Sequence, residues 1–431
     1  MANLLSINNY YYRRGGAEVV FLEQNNIFKQ LGWTVTPFSM KHAKNQASEW
    51  QPYFADEIEY GMHYGWRNNL KNALKIIYSW EAKDKLQSMI DTVRPDIAHL
   101  HNIYHHLSPS ILPILKKNGV PTVMTLHDLK LLCPAYSMLN SQGVCEKCKG
   151  GHIYNIVLNK CMKQSLPLST LIFSESLVHR LAKIYKNNIN MFIVPSKFYL
   201  NKFIEWGWTP SDLIHIPNFV DTDTLQPKYQ PGNYFVYFGR LSKEKGVRTL
   251  IHAANEANVA LKIIGSGPLE EELKILTSSL NANVTFLGYQ SGKTLHDTIR
   301  NAKAVVLPSE WYENAPLSVM EAYALGKPVI GANIGGIPEL IKEGETGITF
   351  ESADVVSLSK ALVEFNKIKD GAVIAMGVAA RQWVDKEYTI EKYLKRILNL
   401  YSKLRVSDKI NPLQQPLIPG EASTSSKQTI L

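Results

Sequence analysis

The chain has 431 residues, of which 45% are hydrophobic and 20% charged, with a net charge of +9. That length exceeds one ordinary core and sets two domains as the expectation. The composition is that of a globular protein. No apolar run approaches the roughly 18 residues needed to cross a bilayer, which excludes a helical membrane protein. The charge is uneven: residues 1–217 hold 23 Lys/Arg against 15 Asp/Glu, and residues 218–431 hold 24 against 23. A basic half suits an anionic membrane surface or a phosphorylated acceptor, and is equally the mark of a solvated basic surface. No recognisable nucleic-acid-binding module accompanies the charge, so nucleic acid is not an expected partner.

Residues 1–7 run straight into an apolar segment with neither a basic flank nor a cleavage site. That argues against a signal peptide and for the cytoplasm, with peripheral contact at the inner face of a membrane as one use of the basic half. Residues 3–7 predict a short buried strand, 12–16 a polar loop carrying glycine, and 17–31 a helix that Gly32 stops. A strand is predicted over 33–38. Strand, glycine loop and helix in that order open an α/β unit. Further apolar strands are predicted at 97–100, 122–126 and 191–194, with a helix-like stretch at 108–117. Such alternation predicts a parallel sheet with helices on both faces. Residues 133–165 fit neither period and read as a Cys-rich insertion.

A second series begins after Pro217. Strands are predicted at 234–238, 261–264, 284–287, 304–307 and 328–331, and helices run to 254 and over 317–325. The expected fold class is α/β, with two doubly wound parallel sheets joined near 216–223. The expected domains are 1–217 and 218–385. A C-terminal helix within 386–405 is expected to pack back toward the first domain, and the Pro-, Ser- and Thr-rich tail, 406–431, to be disordered.

The densest chemistry lies in Pro308-Ser309-Glu310-Trp311-Tyr312-Glu313-Asn314-Ala315-Pro316, followed by residues 317–321. A strand ends before this loop and a helix starts near Leu317, so Glu321 lies about one turn into the helix. Ligands of open α/β sheets bind beyond the carboxyl ends of strands. Unpaired amides in the first turn of a helix suit a diphosphate. A carboxylate repels phosphate and instead accepts hydrogen bonds from sugar hydroxyls. Glu313 therefore fits a hexose hydroxyl and Glu321 a ribose hydroxyl, the bland alternative being two solvated acids.

Glu313 and Glu321, with seven residues between them, resemble the spaced Glu pair of retaining GT-B glycosyltransferases of family 4. Other segments match that family in order. Gly15-Gly16-Ala17-Glu18 is similar to its glycine loop, residues 95–101 to its third-strand region, and Thr125-Leu126-His127-Asp128 to its histidine segment. Residues 216–221 resemble the interdomain segment. Phe238-Gly239-Arg240-Leu241 with Lys243, Lys245 and Gly246 resembles the phosphate-binding loop, and Gly335-Gly336-Ile337-Pro338-Glu339 with Gly347 completes the set. The resemblance spans roughly residues 3–400.

It implies a GT-B fold of two Rossmann-like domains facing a cleft. It also implies transfer of a hexose from a nucleotide-sugar donor to a lipid-linked or polysaccharide acceptor, with retention, in cell-surface glycan biosynthesis. His127, Glu313, Arg240 and Lys245 are then catalytic. The donor lies among Gly15, Gly16, Arg240, Lys245, Gly265, Gly267, Asn314, Ala315, Pro316, Leu317 and Glu321. Fixed cations at Arg240 and Lys245 would stabilise the charge gathering on the departing nucleoside diphosphate. No catalytic cofactor or metal is implied. Asp128 is expected to orient His127 or to meet the acceptor. His101 is expected to line the cleft and His99 the core, on opposite sides of one strand; His105 and His106 carry no assignment. Pro316 replaces the family's usual glycine and removes one backbone donor. Ser266 stands where Asp is frequent. A GT-B epimerase or hydrolase, or a non-catalytic sugar-nucleotide-binding protein, are the alternative readings.

Cys145 and Cys148 have metal-knuckle spacing, with Cys133 and Cys161 to either side. In a cytosolic chain four such thiols suit a closed structural zinc site, an iron–sulfur cluster being second choice and ordinary thiols the bland alternative.

Overall fold

The structure, a computed structural model, describes residues 2–57 and 73–406. The expected disordered tail lies outside these residues from 407 onward. The first sheet has six parallel strands in the order β2-β1-β3-β4-β7-β8. These are β1 (Asn3–Ile7), β2 (Thr34–Phe38), β3 (Ile97–Leu100), β4 (Thr122–Thr125), β7 (Met191–Val194) and β8 (Leu213–His215). Leu5 pairs with Thr36 on one side and Ala98 on the other, and Val123 pairs with Met191. β3 and β4 are buried along their whole length, as expected of strands covered by helices on both faces.

The second sheet repeats the plan in the order β11-β10-β9-β12-β13-β14. Its strands are β9 (Phe235–Phe238), β10 (Leu261–Ile264), β11 (Val284–Phe286), β12 (Ala304–Leu307), β13 (Val329–Ala332) and β14 (Gly347–Phe350). In each sheet the order reverses beside the first strand of the series, and that switch point opens a crevice at the carboxyl ends. Strands β8 and β14 escape sequence reading because their short, partly polar segments show neither period.

Between β4 and β7 the chain leaves the sheet. Residues 139–144 form a two-stranded antiparallel hairpin of β5 (Leu139–Asn140) and β6 (Gly143–Val144). A single-turn helix at Asn155–Leu158 and a longer one at Leu166–Leu181 return the chain to β7.

The chain crosses between the two halves twice, side by side. Val220 bridges Thr389, and its N–H donates to the Tyr388 carbonyl at 2.9 Å. The final helix, Ile390–Tyr401, packs on the first sheet: Tyr393, Leu394, Ile397 and Tyr401 share a buried cluster with Leu4, Phe28, Ile97 and Val123. The chain closes over its own first half because that helix is strongly amphipathic and the outer face of β1 and β3 would otherwise be exposed.

One expectation is corrected here. His99 and His101 do not lie on opposite sides of β3. Residues two apart on a strand share a face, and the two imidazoles stack at 4.7 Å.

Candidate active site

The loop after β12 carries the first acid. Pro316, with φ −65°, caps the Leu317–Ala324 helix, and Glu313 is buried just upstream. Its Oε1 accepts hydrogen bonds from Lys245 Nζ at 2.6 Å and Ser309 Oγ at 2.7 Å. Burial pushes the Glu313 carboxyl up, but the Lys245 ammonium and the hydrogen bonds from Lys245 and Ser309 outweigh it. The group is held below the usual carboxylate range and is ionised. Lys245 also lies over the Trp311 ring, 5.2 Å from its centroid.

Close packing of loops creates this pair. Gly246, at φ +66°, follows Lys245, and a Cβ there would sit 1.8 Å from the Pro308 carbonyl oxygen. Only glycine lets the β9 loop lie against the β12 loop and deliver Lys245 to Glu313. Gly336 is as constrained: its Cβ would fall 1.8 Å from the Asn314 carbonyl oxygen.

The residues beside Glu313 are tied to the first half of the chain. Asn314 Nδ2 donates to the Leu126 carbonyl at 2.9 Å, and Asn314 Oδ1 accepts from Ser196 Oγ at 2.8 Å. Asn218 Nδ2 donates to the Ala315 carbonyl at 3.0 Å, and Tyr199 Oη to the Tyr312 carbonyl at 3.0 Å. Glu339 accepts from the Lys197 and Phe198 amides at 2.9 and 2.8 Å, capping the Lys197–Glu205 helix from the other domain. The acid loop thus spans the cleft.

On the facing side His127 follows β4. Its Nε2 meets His101 Nδ1 at 2.8 Å, and the rings stack at 5.1 Å. His99 continues the stack and is held by Thr125 Oγ1 and Tyr401 Oη, each at 2.7 Å. His101 Nε2 is buried without a hydrogen-bond partner among the described residues. A proton there would be an unpaired buried donor, so it belongs on Nδ1 and is donated to His127. His127 then carries its own proton on Nδ1. Burial lowers the His127 pKa to about 4, so the ring is a neutral hydrogen-bond donor at neutral pH. Burial likewise raises the Asp128 carboxyl to about 6, against hydrogen bonding and charge from Lys130. Asp128 Oδ1 accepts from the Lys130 amide at 2.9 Å. No hydrogen bond joins Asp128 to His127 among the described residues; His101 takes the orienting place expected of it.

The 15-residue helix Gly16–Gln30 begins opposite the Leu317–Ala324 helix: a Cβ on Gly16 would lie 4.0 Å from Leu317 Cδ1. Two electropositive helix starts therefore converge on one spot. Gly15 is extended (φ −163°) and caps the first of them with no side-chain bond. Glu321 is half-buried in the second helix. Burial raises it to about 7, offset in part by Arg13 across the cleft. Arg240 is exposed at the end of β9 and forms no ion pair among the described residues.

Two expected donor contacts have a nearer explanation. Cβ atoms at Gly265 and Gly267 would strike the Gly239 and Leu241 carbonyl oxygens at 1.9 and 2.3 Å, so both serve first to pack the β9 and β10 loops together. Sequence reading passed over Ser309, Ser196, Asn218 and the orienting role of His101. The partners of Ser196, Asn218 and His101 lie 118, 97 and 26 positions away, Ser309 lies four residues from Glu313, and single polar residues carry no pattern.

The four cysteines are unpaired thiols lining one cavity of about 10 Å³, room for about one water-sized atom. Burial and the neighbouring Cys133, Cys161 and Cys145 thiols push Cys148 up to about 12. Among the described residues no three His, Cys, Asp or Glu side chains stand grouped to hold a metal ion.

Two switch-point crevices facing each other, with a buried Lys–Glu pair on one wall and converging helix starts, define a GT-B enzyme site. The known proteins agree. Residues 14–224 match the family described as Glycosyltransferase Family 4, and residues 223–382 match Glycosyl transferases group 1. The chain belongs to this group 1, family 4 glycosyltransferase family.

It is 26% identical to an uncharacterized 42.6 kDa protein in the cps region of Klebsiella pneumoniae, over 78% of this chain and 87% of that protein. It is 28% identical to the Arabidopsis thaliana sulfoquinovosyl transferase, over 72% of this chain and 58% of that one. A GDP-mannose-dependent phosphatidylinositol monomannoside mannosyltransferase of Corynebacterium glutamicum shares 32% identity over 37% of this chain and 45% of its own length. Among solved structures, sucrose-phosphate synthase from Thermosynechococcus elongatus superposes with a TM-score of 0.71 at 18% identity, covering 94% of this chain and all of that one. Anabaena HepE in complex with UDP-glucose gives 0.66 at 15% identity, with the same coverage.

Proposed function

We propose that this glycosyltransferase moves a hexose from a nucleotide-sugar donor to a lipid-linked or polysaccharide acceptor, with retention of configuration and at the inner face of a membrane. The observation that carries the reading is the Lys245–Glu313 pair just upstream of one of two converging helix starts, with Arg240 on the same β9 loop as Lys245, exposed and in no ion pair among the described residues. A diphosphate there would find two cations and two sets of free amides. Glu313, already ionised, would accept a hydrogen bond from a hexose hydroxyl. Glu321 would do the same for the ribose. His127, neutral and donating from Nδ1, would hold a further sugar hydroxyl. As the glycosidic bond breaks, negative charge builds on the departing diphosphate, and Arg240, Lys245 and the helix starts stabilise it without reorganising. The departing phosphate takes the acceptor proton. The mannosyltransferase and cps-region relatives support a cell-surface glycan as product.

A panel of UDP-, GDP- and ADP-sugars tests the donor. The cognate donor at about 100 times its Kd should raise Tm by about 5–10 °C, from some 2.7 kcal/mol of linkage. Binding should tighten as pH rises from 6 to 8. The sign follows from Glu321: hydroxyl donors bind its ionised form, and burial has raised its pKa to about 7. No shift with any sugar nucleotide would sink the reading, and sugar-nucleotide turnover without acceptor would replace transfer by hydrolysis or epimerisation.

The four-thiol cavity is proposed as a structural zinc site that closes by side-chain rotation when the ion enters. The support is convergence of all four cysteines on one ion-sized space. Elemental analysis of protein purified without chelator should find about one zinc per chain. Metal-free protein that melts at the same temperature with and without added zinc would rule the site out.

A further inference from the structure

We infer that the outer face of the Leu166–Leu181 helix, with the turn before it, is a docking surface for an anionic lipid bilayer. This gives a location to the membrane contact of the proposed function, and it stands whether or not the acceptor is a lipid. The helix buries Ser169, Ile172, Glu175 and His179 against the first domain. A surface helix ordinarily turns polar residues outward on the opposite side. Here Leu166 (50% exposed), Val178 (47%) and Leu181 (76%) face solvent, and the preceding turn adds Leu158 (71%) and Tyr154 (51%). Single exposed leucines are normal; a group of them on one short stretch marks a contact surface.

The charge around this face identifies the partner. Residues 140–190 contain seven Lys/Arg and two Asp/Glu. Both acids are already engaged. Glu146 accepts from Lys202 Nζ and Tyr312 Oη, each at 2.8 Å. Glu175 is buried and accepts from Lys130 Nζ at 2.8 Å. The outward charge is therefore carried by Lys147, Lys160, Lys163, Lys183 and Lys186, all exposed. Exposed apolar side chains on a stretch that also exposes five lysines, with both of its carboxylates paired, complement a leaflet of anionic headgroups over acyl chains. A protein partner would have to supply an acidic rim around an apolar centre, and nothing in the structure calls for one. No helix among the described residues is long and apolar enough to cross a membrane, so the contact lies in the interface plane.

The position suits the enzyme. Lys130 lies two residues beyond Asp128 at the cleft and reaches into this helix through Glu175. The helix that carries the docked face thus packs, through Glu175, directly on the segment that follows Asp128.

The full chain should be sedimented with phosphatidylcholine vesicles, with and without phosphatidylglycerol. Binding is expected only to the anionic vesicles and should weaken as salt rises. Leu158→Asp with Leu181→Glu, and separately Lys160→Glu with Lys163→Glu and Lys183→Glu, should each lower partitioning by about tenfold or more. All five positions are exposed, so Tm and the Tm shift with the cognate donor should be retained; those readouts report the donor site independently. Three results would overturn the inference. They are equal sedimentation with neutral vesicles, unchanged binding by both variants, and a dimer in size-exclusion chromatography that Leu158→Asp with Leu181→Glu dissolves. The last would assign the face to a second copy of the chain.

Discussion

Glu313→Gln is expected to lower kcat/KM for transfer by about two to three orders of magnitude, the scale seen when one preorganised electrostatic contact is removed. The substitution keeps the shape of the side chain and its hydrogen bond from Ser309, and it removes the charge. Two losses follow. The sugar hydroxyl no longer donates to an anion, and Lys245 loses the partner that holds its ammonium 2.6 Å away. Lys245→Ala acts from the other side. Glu313 is buried, and without the ammonium that outweighs burial its pKa rises and the carboxyl is neutralised. Steady-state kinetics with the cognate donor, beside a thermal melt to establish folding, measures both variants. Full transfer activity in either one would remove the pair from the mechanism.

Lys130→Met should cost about 3–5 kcal/mol of stability, the range for removing one partner of a buried ion pair. Glu175 has no exposed side-chain surface and is held by Lys130 at 2.8 Å and His105 at 3.2 Å. Burial pushes this carboxyl up, but Lys130 and then His105 pull it down to about 2. The sign of the pH dependence follows. A folded-state pKa below the ordinary carboxylate value contributes stability that is complete above about 4.5 and is lost as pH falls through about 2. In Lys130→Met the carboxyl is left to burial and two imidazoles that burial keeps largely neutral, His105 and His179. The gap between native and variant stability in urea unfolding should therefore be widest near pH 7 and should narrow below pH 4.5. Equal stabilities at pH 7 would show that the pair is not worth its desolvation. Because Glu175 anchors the Leu166–Leu181 helix, the same variant also tests whether this side of the cleft depends on that anchor.

All strands of the two parallel sheets except β8 and β14 were legible in the sequence, and so was the acid loop. β7 and β12 fall on continuous apolar runs of four residues, and β1, β3 and β10 on runs that are apolar except at Asn3 and Ser6, His99 and Lys262, as expected of strands covered on both faces. Glu313 and Glu321 could be placed at a strand exit and a helix start because Pro316 and the apolar run behind it mark that boundary. His101 was misplaced for a simpler reason, since a residue two beyond His99 must share its face. The Glu146–Tyr312 and Asn314–Leu126 bonds join residues 166 and 188 positions apart, and no local period reports such pairs.

The sequence by itself therefore determined the two parallel sheets, the loops at their carboxyl ends and the residue types available there, since each follows from short-range periodicity and backbone rules. Only the tertiary structure decided how those residues are used. Lys245 reaches Glu313 because Gly246 lets two loops touch, and His127 takes its tautomer from a neighbour on another strand. The Leu166–Leu181 helix turns Glu175 inward to Lys130 and leaves apolar side chains in solvent. Each of these outcomes is set by which side chains meet across the fold, and by how much water their meeting excludes.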